Sequence, residues 1–398
     1  MLDFDQMISR ENTHALTAEG YRGYLFSHLT DVGFCWPEDD LIHMWVADMS
    51  FATPPAVTDG ILNRLSQQIL GYTLSAQTDS AYVSAFYSWC KNRYGLSIEP
   101  QQLLTSPGIV AAVNAIAKLV CKPGEKIVTL APSYGMFRHA ATVSGTTMVY
   151  SDLIAENNVF SVDWRDLERK LSDPAVTAFI LCSPHNPTGR CWQPEELRRF
   201  GNLCQAYGVF IISDEIHCDL LRQGKQHLSM AQVLEGRTDF AVTLAPSKTF
   251  NMAGLQVSNV LLPDPALRSC WRLEVDNPLS IAGATGAYAN GAPWLEELRT
   301  YLDGNFALVA ELLQQHLPLT QFQIPDATYL AWVNLNPYLP ADTDMSLLFA
   351  NYGLLLEGGN GLFLHNAQGW VRLNLSCPRA VVQTGMERFI QAVWASQG

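Results

Sequence analysis

The chain is predicted to be an α/β protein, a mostly parallel sheet covered by helices on both faces, with a smaller α+β unit attached. Three observations predict this. Short apolar runs recur at intervals, helix-patterned stretches lie between several of them, and from about residue 290 the pattern changes to one long helix and two alternating strands. Apolar runs without alternation suit strands buried on both faces, which crossover helices between parallel neighbours produce. At 398 residues, 48% of them hydrophobic, the chain is long enough to bury such a core.

Taken in order, DSAYVSAFYSWCKNRYG from residue 79 places Tyr82, Phe86, Trp89 and Tyr94 near helical spacing behind an Asp suited to capping the first turn. SPGIVAAVNAIAKLVC (106–121) reads as a loop turning directly into a buried helix, and KPGEK then resets the chain. The strand candidates are KIVTLAPS (126–133), TAFILCSP (177–184), GVFIISDE (208–215), FAVTLAPSK (240–248) and SNVLLP (258–263), with PEELRRFGNLCQAYG (194–208) as an intervening helix. The last unit consists of PWLEELRTYLDGNFALVAELLQQH and the strands YLAWVNL and WVRLNLS. No repeat, low-complexity tract or linker interrupts the chain, so its two parts are expected to pack closely.

A formal charge of −13 without long runs of one sign opposes binding to nucleic acid or anionic lipid, so any anionic ligand must be held locally. The nine cysteines include no CxxC pair and mostly sit in apolar runs, which reads as buried reduced thiols, and no metal-ligand set is assigned. The N-terminal residues lack a basic start with an apolar run, and no stretch approaches a membrane span, so a cytoplasmic protein is expected.

In an open parallel sheet, ligands collect beyond the carboxyl ends of the strands. Four apolar runs end there in PSY (132–134), SPHNPTG (183–189), SDEIH (213–217) and APSK (245–248). Together they supply a ring, an amide, a carboxylate, an imidazole and an amine, an inventory that fits a pyridoxal ring. Lys248 closes a strand, where desolvation disfavours the ammonium and leaves a free amine for Schiff-base formation; an ordinary lysine at a strand exit is the alternative. Asp214 follows GVFIIS in a sheltered place where an unpaired charge is costly, and a protonated pyridine nitrogen or a helix cap would account for it. Asn186 and His217 are candidates for the ring's phenolic oxygen, and Tyr134 for the ring face, although turn geometry and packing explain such residues too. Gly108, Ile109 and Val110 open a helix whose free N–H groups make a phosphate site without side-chain charge. Arg372, flanked by apolar residues in a strand, calls for an anion, either a substrate α-carboxylate or an internal salt bridge.

These stretches together resemble the fold type I pyridoxal-phosphate (PLP) enzymes of the aspartate aminotransferase superfamily, from WVADMSF (45–51) to RLNLSCPR (372–379), nearly the whole chain. SPHNPTG, SDEIHCDL, APSKTFNMAGL and YLAW are most similar to the MalY/PatB branch, whose members are C–S β-lyases acting on cystathionine and cysteine. The resemblance implies a three-layer αβα PLP-dependent transferase-like domain over 50–288 and a smaller α+β domain from both termini, 1–49 and 289–398. It implies that Lys248 forms the internal aldimine, Asp214 pairs with the pyridine nitrogen, Asn186 and His217 flank the phenolic oxygen, Tyr134 stacks and Arg372 grips the substrate carboxylate. It also implies that Ser247 serves the phosphate, that the backbone near Ala47 helps bind the carboxylate, and that the protein is a homodimer in which Tyr72 reaches the partner's cofactor phosphate. Four features depart from the pattern: Ser50 stands where the branch usually has Asp, Ala245 where a phosphate-binding Ser is common, Gln256 where many aminotransferases carry a cation, and GGNGLFLHN (358–366) where a GxxFG segment is expected before the arginine strand. The expected reaction is β-elimination, with transamination as the alternative and a PLP-bound regulatory or binding protein as a second one.

Overall fold

The computed structural model describes residues 2–29, 33 and 35–397, so the outermost limits expected for the small domain, 1 and 398, lie outside the described residues. Its main sheet has eight strands: β1 (Leu103–Ser106), β2 (Lys126–Ala131), β3 (Thr147–Glu156), β4 (Val159–Val162), β5 (Val176–Cys182), β6 (Phe210–Asp214), β7 (Phe240–Leu244) and β8 (Ser258–Leu261). Their spatial order is β1-β8-β7-β6-β5-β2-β3-β4. Strands β7, β6, β5, β2 and β3 run parallel.

Alternation along these strands explains why the runs lack polar positions. Ile127, Ala178, Ile180, Ile212 and Ala241 pack on one face with the helix Ile109–Val120, while Val128, Phe179, Leu181, Ile211 and Val242 pack into the larger cluster on the other. Both faces are therefore apolar and covered. On the second face lies the helix Ser80–Tyr94, started by Asp79, whose carboxylate accepts from the N–H groups of Ala81 and Tyr82 at 2.9 Å each, and ended by Gly95 in the left-handed region at φ 68°.

Two strands run against the rest of this sheet: β4, which is antiparallel to β3, and β8, one of the runs read from the sequence. Strand β8 is antiparallel to both β7 and β1. Between β7 and β8 the chain forms only the short helices Pro246–Thr249 and Ala253–Leu255, with no crossover helix long enough to return it to the starting end of the sheet.

The second sheet is antiparallel, β9 (Leu330–Asn334), β10 (Glu357–Gly358) and β11 (Trp370–Asn374), with β11 in the middle. Val333, Val371 and Leu373 pack there with Phe306, Val309 and Leu313 of the helix Ala292–His316, and with Met386 and Phe389 of the helix Arg379–Ala395. Met44 joins this cluster from the N-terminal part. Segment 45–51 is then tied across the top of the main sheet: Asn374 Nδ2 donates to the carbonyls of Val46 and Asp48, and Asn251 Nδ2 to those of Met49 and Phe51. All nine cysteines are free, most of them buried. Among the described residues, no helix is long and apolar enough to cross a membrane.

Candidate active site

The polar endings of β2, β5, β6 and β7 converge at one end of the sheet, beneath segment 45–51 and strand β11. A cavity of about 230 Å³ lies there, lined by Ala47, Gly108, Ile109, Val110, Tyr134, Asn186, Asp214, His217, Ser247, Lys248 and Arg372. Nine of the ten residues expected to touch the cofactor and both of those expected only at the substrate, Ala47 and Arg372, thus share one space. Tyr72 does not: it is fully exposed and lines no part of the cavity in its own chain.

Lys248 sits in the short helix Pro246–Thr249 that follows β7; the strand ends at Leu244 and not at Lys248, where the sequence reading closed it. Its Nζ donates to the carbonyl oxygen of Ala47 at 2.5 Å, and Tyr329 Oη donates to the same oxygen at 3.1 Å. The Ala47 carbonyl is therefore occupied by donors, so only its N–H side remains for an anion. Burial pulls the Lys248 ammonium down to about 8, with the Arg372 charge acting in the same direction and Asp48, Glu357 and Asp214 against it. Asp214, the last residue of β6, shows the complementary effect: burial pushes its carboxyl up to about 7, against the hydrogen bond from the N–H of Ile216 and the Lys248 charge. Amine and carboxylate line the same cavity and feel one another, as a ring bridging them requires.

The chain turns at Ile216–Asp219, carrying His217 into the cavity wall. Its imidazole is held neutral by burial, with the Lys248 and Arg372 charges adding to the effect, and its Nδ1 has no partner. Asn186 Oδ1 is likewise buried and unpartnered. The helix Ile109–Val120 begins without a side-chain cap behind Gly108 at φ 103°, and a Cβ at Gly108 would meet nothing within 4 Å. An open helix start facing free space is a place for an anion. Gln256 lines the same wall, so the phosphate side carries no cation there.

Arg372, on β11, is 2% exposed. Its Nη2 donates to Glu357 on the adjacent strand β10 and to the carbonyl of Trp45, while Nε and Nη1 are unpartnered. Of the two alternatives, the internal ion pair exists, and Nε and Nη1 remain as donors for a second anion. These orphaned atoms, the amine–carboxylate pair and the open helix start fit pyridoxal phosphate and an amino-acid substrate.

Sequence reasoning missed three residues here. Glu357 and Tyr24 line the cavity, and the Asp48 charge opposes the loss of Lys248's proton. Glu357 closes the apolar run YGLLLE, the same strand-end signal that singled out Asp214.

The chain is similar to known proteins over most of its length. Cystathionine β-lyase PatB of Bacillus subtilis is 36% identical over 363 residues, 89% of this chain and 93% of its own length. Protein MalY of Escherichia coli is 29% identical over 364 residues, 89% and 92% of the two chains. Among solved structures, the PLP-bound C–S lyase of Staphylococcus hominis, complexed with the inhibitor L-cycloserine, superposes with a TM-score of 0.94 at 39% identity and covers 98% of both chains. Cystalysin of Treponema denticola, which contains pyridoxal 5′-phosphate, gives 0.88 at 25% identity over the full length of both. The model of the aminotransferase class I and II family matches residues 39–389, and the chain belongs to that family.

Proposed function

We propose that this chain is a PLP-dependent C–S β-lyase that cleaves cystathionine- or cysteine-type amino acids to a thiol, pyruvate and ammonia. The observation that carries the reading is the single cavity shared by the Lys248 amine, the Asp214 carboxylate, the open helix start at Gly108 and the unfilled donors of Arg372. Asp214 would hold the pyridine nitrogen protonated, Asn186 and His217 would flank the phenolic oxygen, Tyr134 would lie against the ring, and the N–H groups of Ile109 and Val110 with Ser247 would hold the phosphate. Bound there, the cofactor supplies an electron sink for the charge left at Cα.

Arg372 Nε and Nη1 orient the substrate by its α-carboxylate, which aims the Cα–H bond. Lys248 is the base that takes the Cα proton, and its burial keeps a free amine available near neutral pH. A thiolate at Cβ then leaves readily, because its reference pKa is about 8.5. The aminoacrylate left behind hydrolyses to pyruvate and ammonia.

The same reading includes a homodimer. It is supported by a run of exposed apolar side chains, Leu62, Leu65, Ile69, Leu70, Tyr72 and Leu74, which single soluble chains rarely present together.

The test is to incubate the purified, cofactor-loaded protein with L-cystathionine and score pyruvate and thiol, then amino-group transfer to an oxo acid. Elimination without transfer is expected. Transfer alone would make it an aminotransferase, and neither product would leave a binding role.

A further inference from the structure

The cofactor cavity adjoins a second one of about 580 Å³, and Tyr24, Glu357 and Leu362 line both. Glu357 is 2% exposed. One of its oxygens accepts from Arg372; the other, Oε1, is buried without a partner. As a unit, the Arg372–Glu357 pair therefore has donors and an acceptor left over. The substrate α-carboxylate accounts for the donors; the Lys248 ammonium in the inner cavity favours the ionised Glu357 by its charge, but it donates to the Ala47 carbonyl and leaves Oε1 without a donor.

A buried carboxylate oxygen with no donor is costly, and a ligand carrying N–H groups removes the cost. The outer cavity is built for a cation. Its lining carries three carboxylates, Glu357, Asp342 and Asp344, against the one guanidinium of Arg138; Asp344 is engaged, with His28 Nε2 at 3.2 Å and the Leu347 N–H donating to it. Tyr24 and Trp370 add ring faces of the kind that attract ammonium groups.

We propose that Glu357 determines specificity for the part of the substrate beyond sulfur: the outer cavity takes a leaving group bearing a primary ammonium, and Glu357 Oε1 receives it. This rests on the lyase reading of the inner cavity. Glu357 does not touch the breaking bond. It positions the sulfur substituent, so that the α-carboxylate on Arg372 and the ammonium on Glu357 fix the substrate at two ends.

S-(2-aminoethyl)-L-cysteine and S-propyl-L-cysteine test this, because they match in length and differ by an ammonium in place of a methyl group. The loaded enzyme should favour the aminoethyl compound in kcat/KM on the order of 10- to 100-fold, the range of a hydrogen bond to a charged group. Glu357→Gln should bring that ratio close to one. Any damage to Arg372 affects both compounds alike and cancels in the ratio, which a merely structural role for Glu357 would leave unmoved. A ratio near one in the wild-type enzyme, or one unchanged by Glu357→Gln, overturns the proposal, and the first measurement needs no variant. If neither compound yields pyruvate, the lyase reading fails separately. The Glu357 assignment is then read from dissociation constants by titration calorimetry, where the same preference and the same loss must appear.

Discussion

Burial at Lys248 has a consequence that can be read residue by residue. An exposed lysine with a pKa of about 10.4 is almost wholly protonated at pH 8. Lys248, pulled down to about 8, is half free base there. A lowered pKa places the gain of reactive amine at lower pH, so reactivity at this residue rises through about pH 8 and then levels. Cofactor-free protein given limiting pyridoxal phosphate and trapped with borohydride should carry the label on Lys248, with a midpoint near pH 8, while exposed lysines label only as the pH nears 10. Peptide mapping by mass spectrometry decides it, and another lysine as the main product at pH 8 would refute the assignment. Asp214 completes the logic, since a carboxyl pushed up to about 7 by burial is returned to its charged form by a cationic ring nitrogen.

At the scale of elements, the phosphate side depends on how one helix begins. Gly108 has φ 103° and ψ 158°, a region open essentially to glycine alone, and no side chain caps the helix behind it. A Cβ there meets nothing within 4 Å, so Gly108→Ala is strained by its backbone and not by a clash. Urea unfolding of the cofactor-free variant should show a loss of roughly 1–3 kcal/mol, and an absorbance titration should show pyridoxal phosphate bound about tenfold more weakly. Unchanged values in both would remove the helix start from the site. The SPG turn that flagged this helix, like the strand endings at Asn186, Asp214 and Lys248, was legible in the sequence because parallel strands expose their carboxyl ends at a shared edge. The reversal of β8 was not, since apolar composition does not encode strand direction and only the short β7–β8 connection does. Glu357 carries a strand-end signal in YGLLLE, but its tie to the site comes from cross-strand register with Arg372, two positions fifteen residues apart in sequence that pairing places side by side. Tyr24 lies in the short helix Tyr21–Leu25, where nothing local points to a cavity.

For the whole molecule, we propose the division into 50–288 and 1–49 with 289–398. Its support is a second core built from Met44 and from residues between Phe306 and Val393. The helix Ala292–His316, just past that boundary, spans both cores, giving Trp294, Leu295, Leu298 and Leu302 to the large one and Phe306, Val309 and Leu313 to the small one, so the two parts are stiffly joined. The proposed dimer then decides whether the site is complete. Tyr72 is fully exposed amid Ile69, Leu70 and Leu74, an arrangement that wastes apolar surface in a single chain and makes sense against a second copy. Sedimentation should give twice the mass of one chain. Leu70→Asp places a charge in the centre of the buried patch and should yield monomers that also bind pyridoxal phosphate more weakly. Tyr72→Phe should keep the dimer yet weaken the cofactor about tenfold, the scale of one hydrogen bond to a charged group. A Leu70→Asp monomer with undiminished cofactor affinity would show that each chain holds its cofactor unaided, and Tyr72 would lose its role.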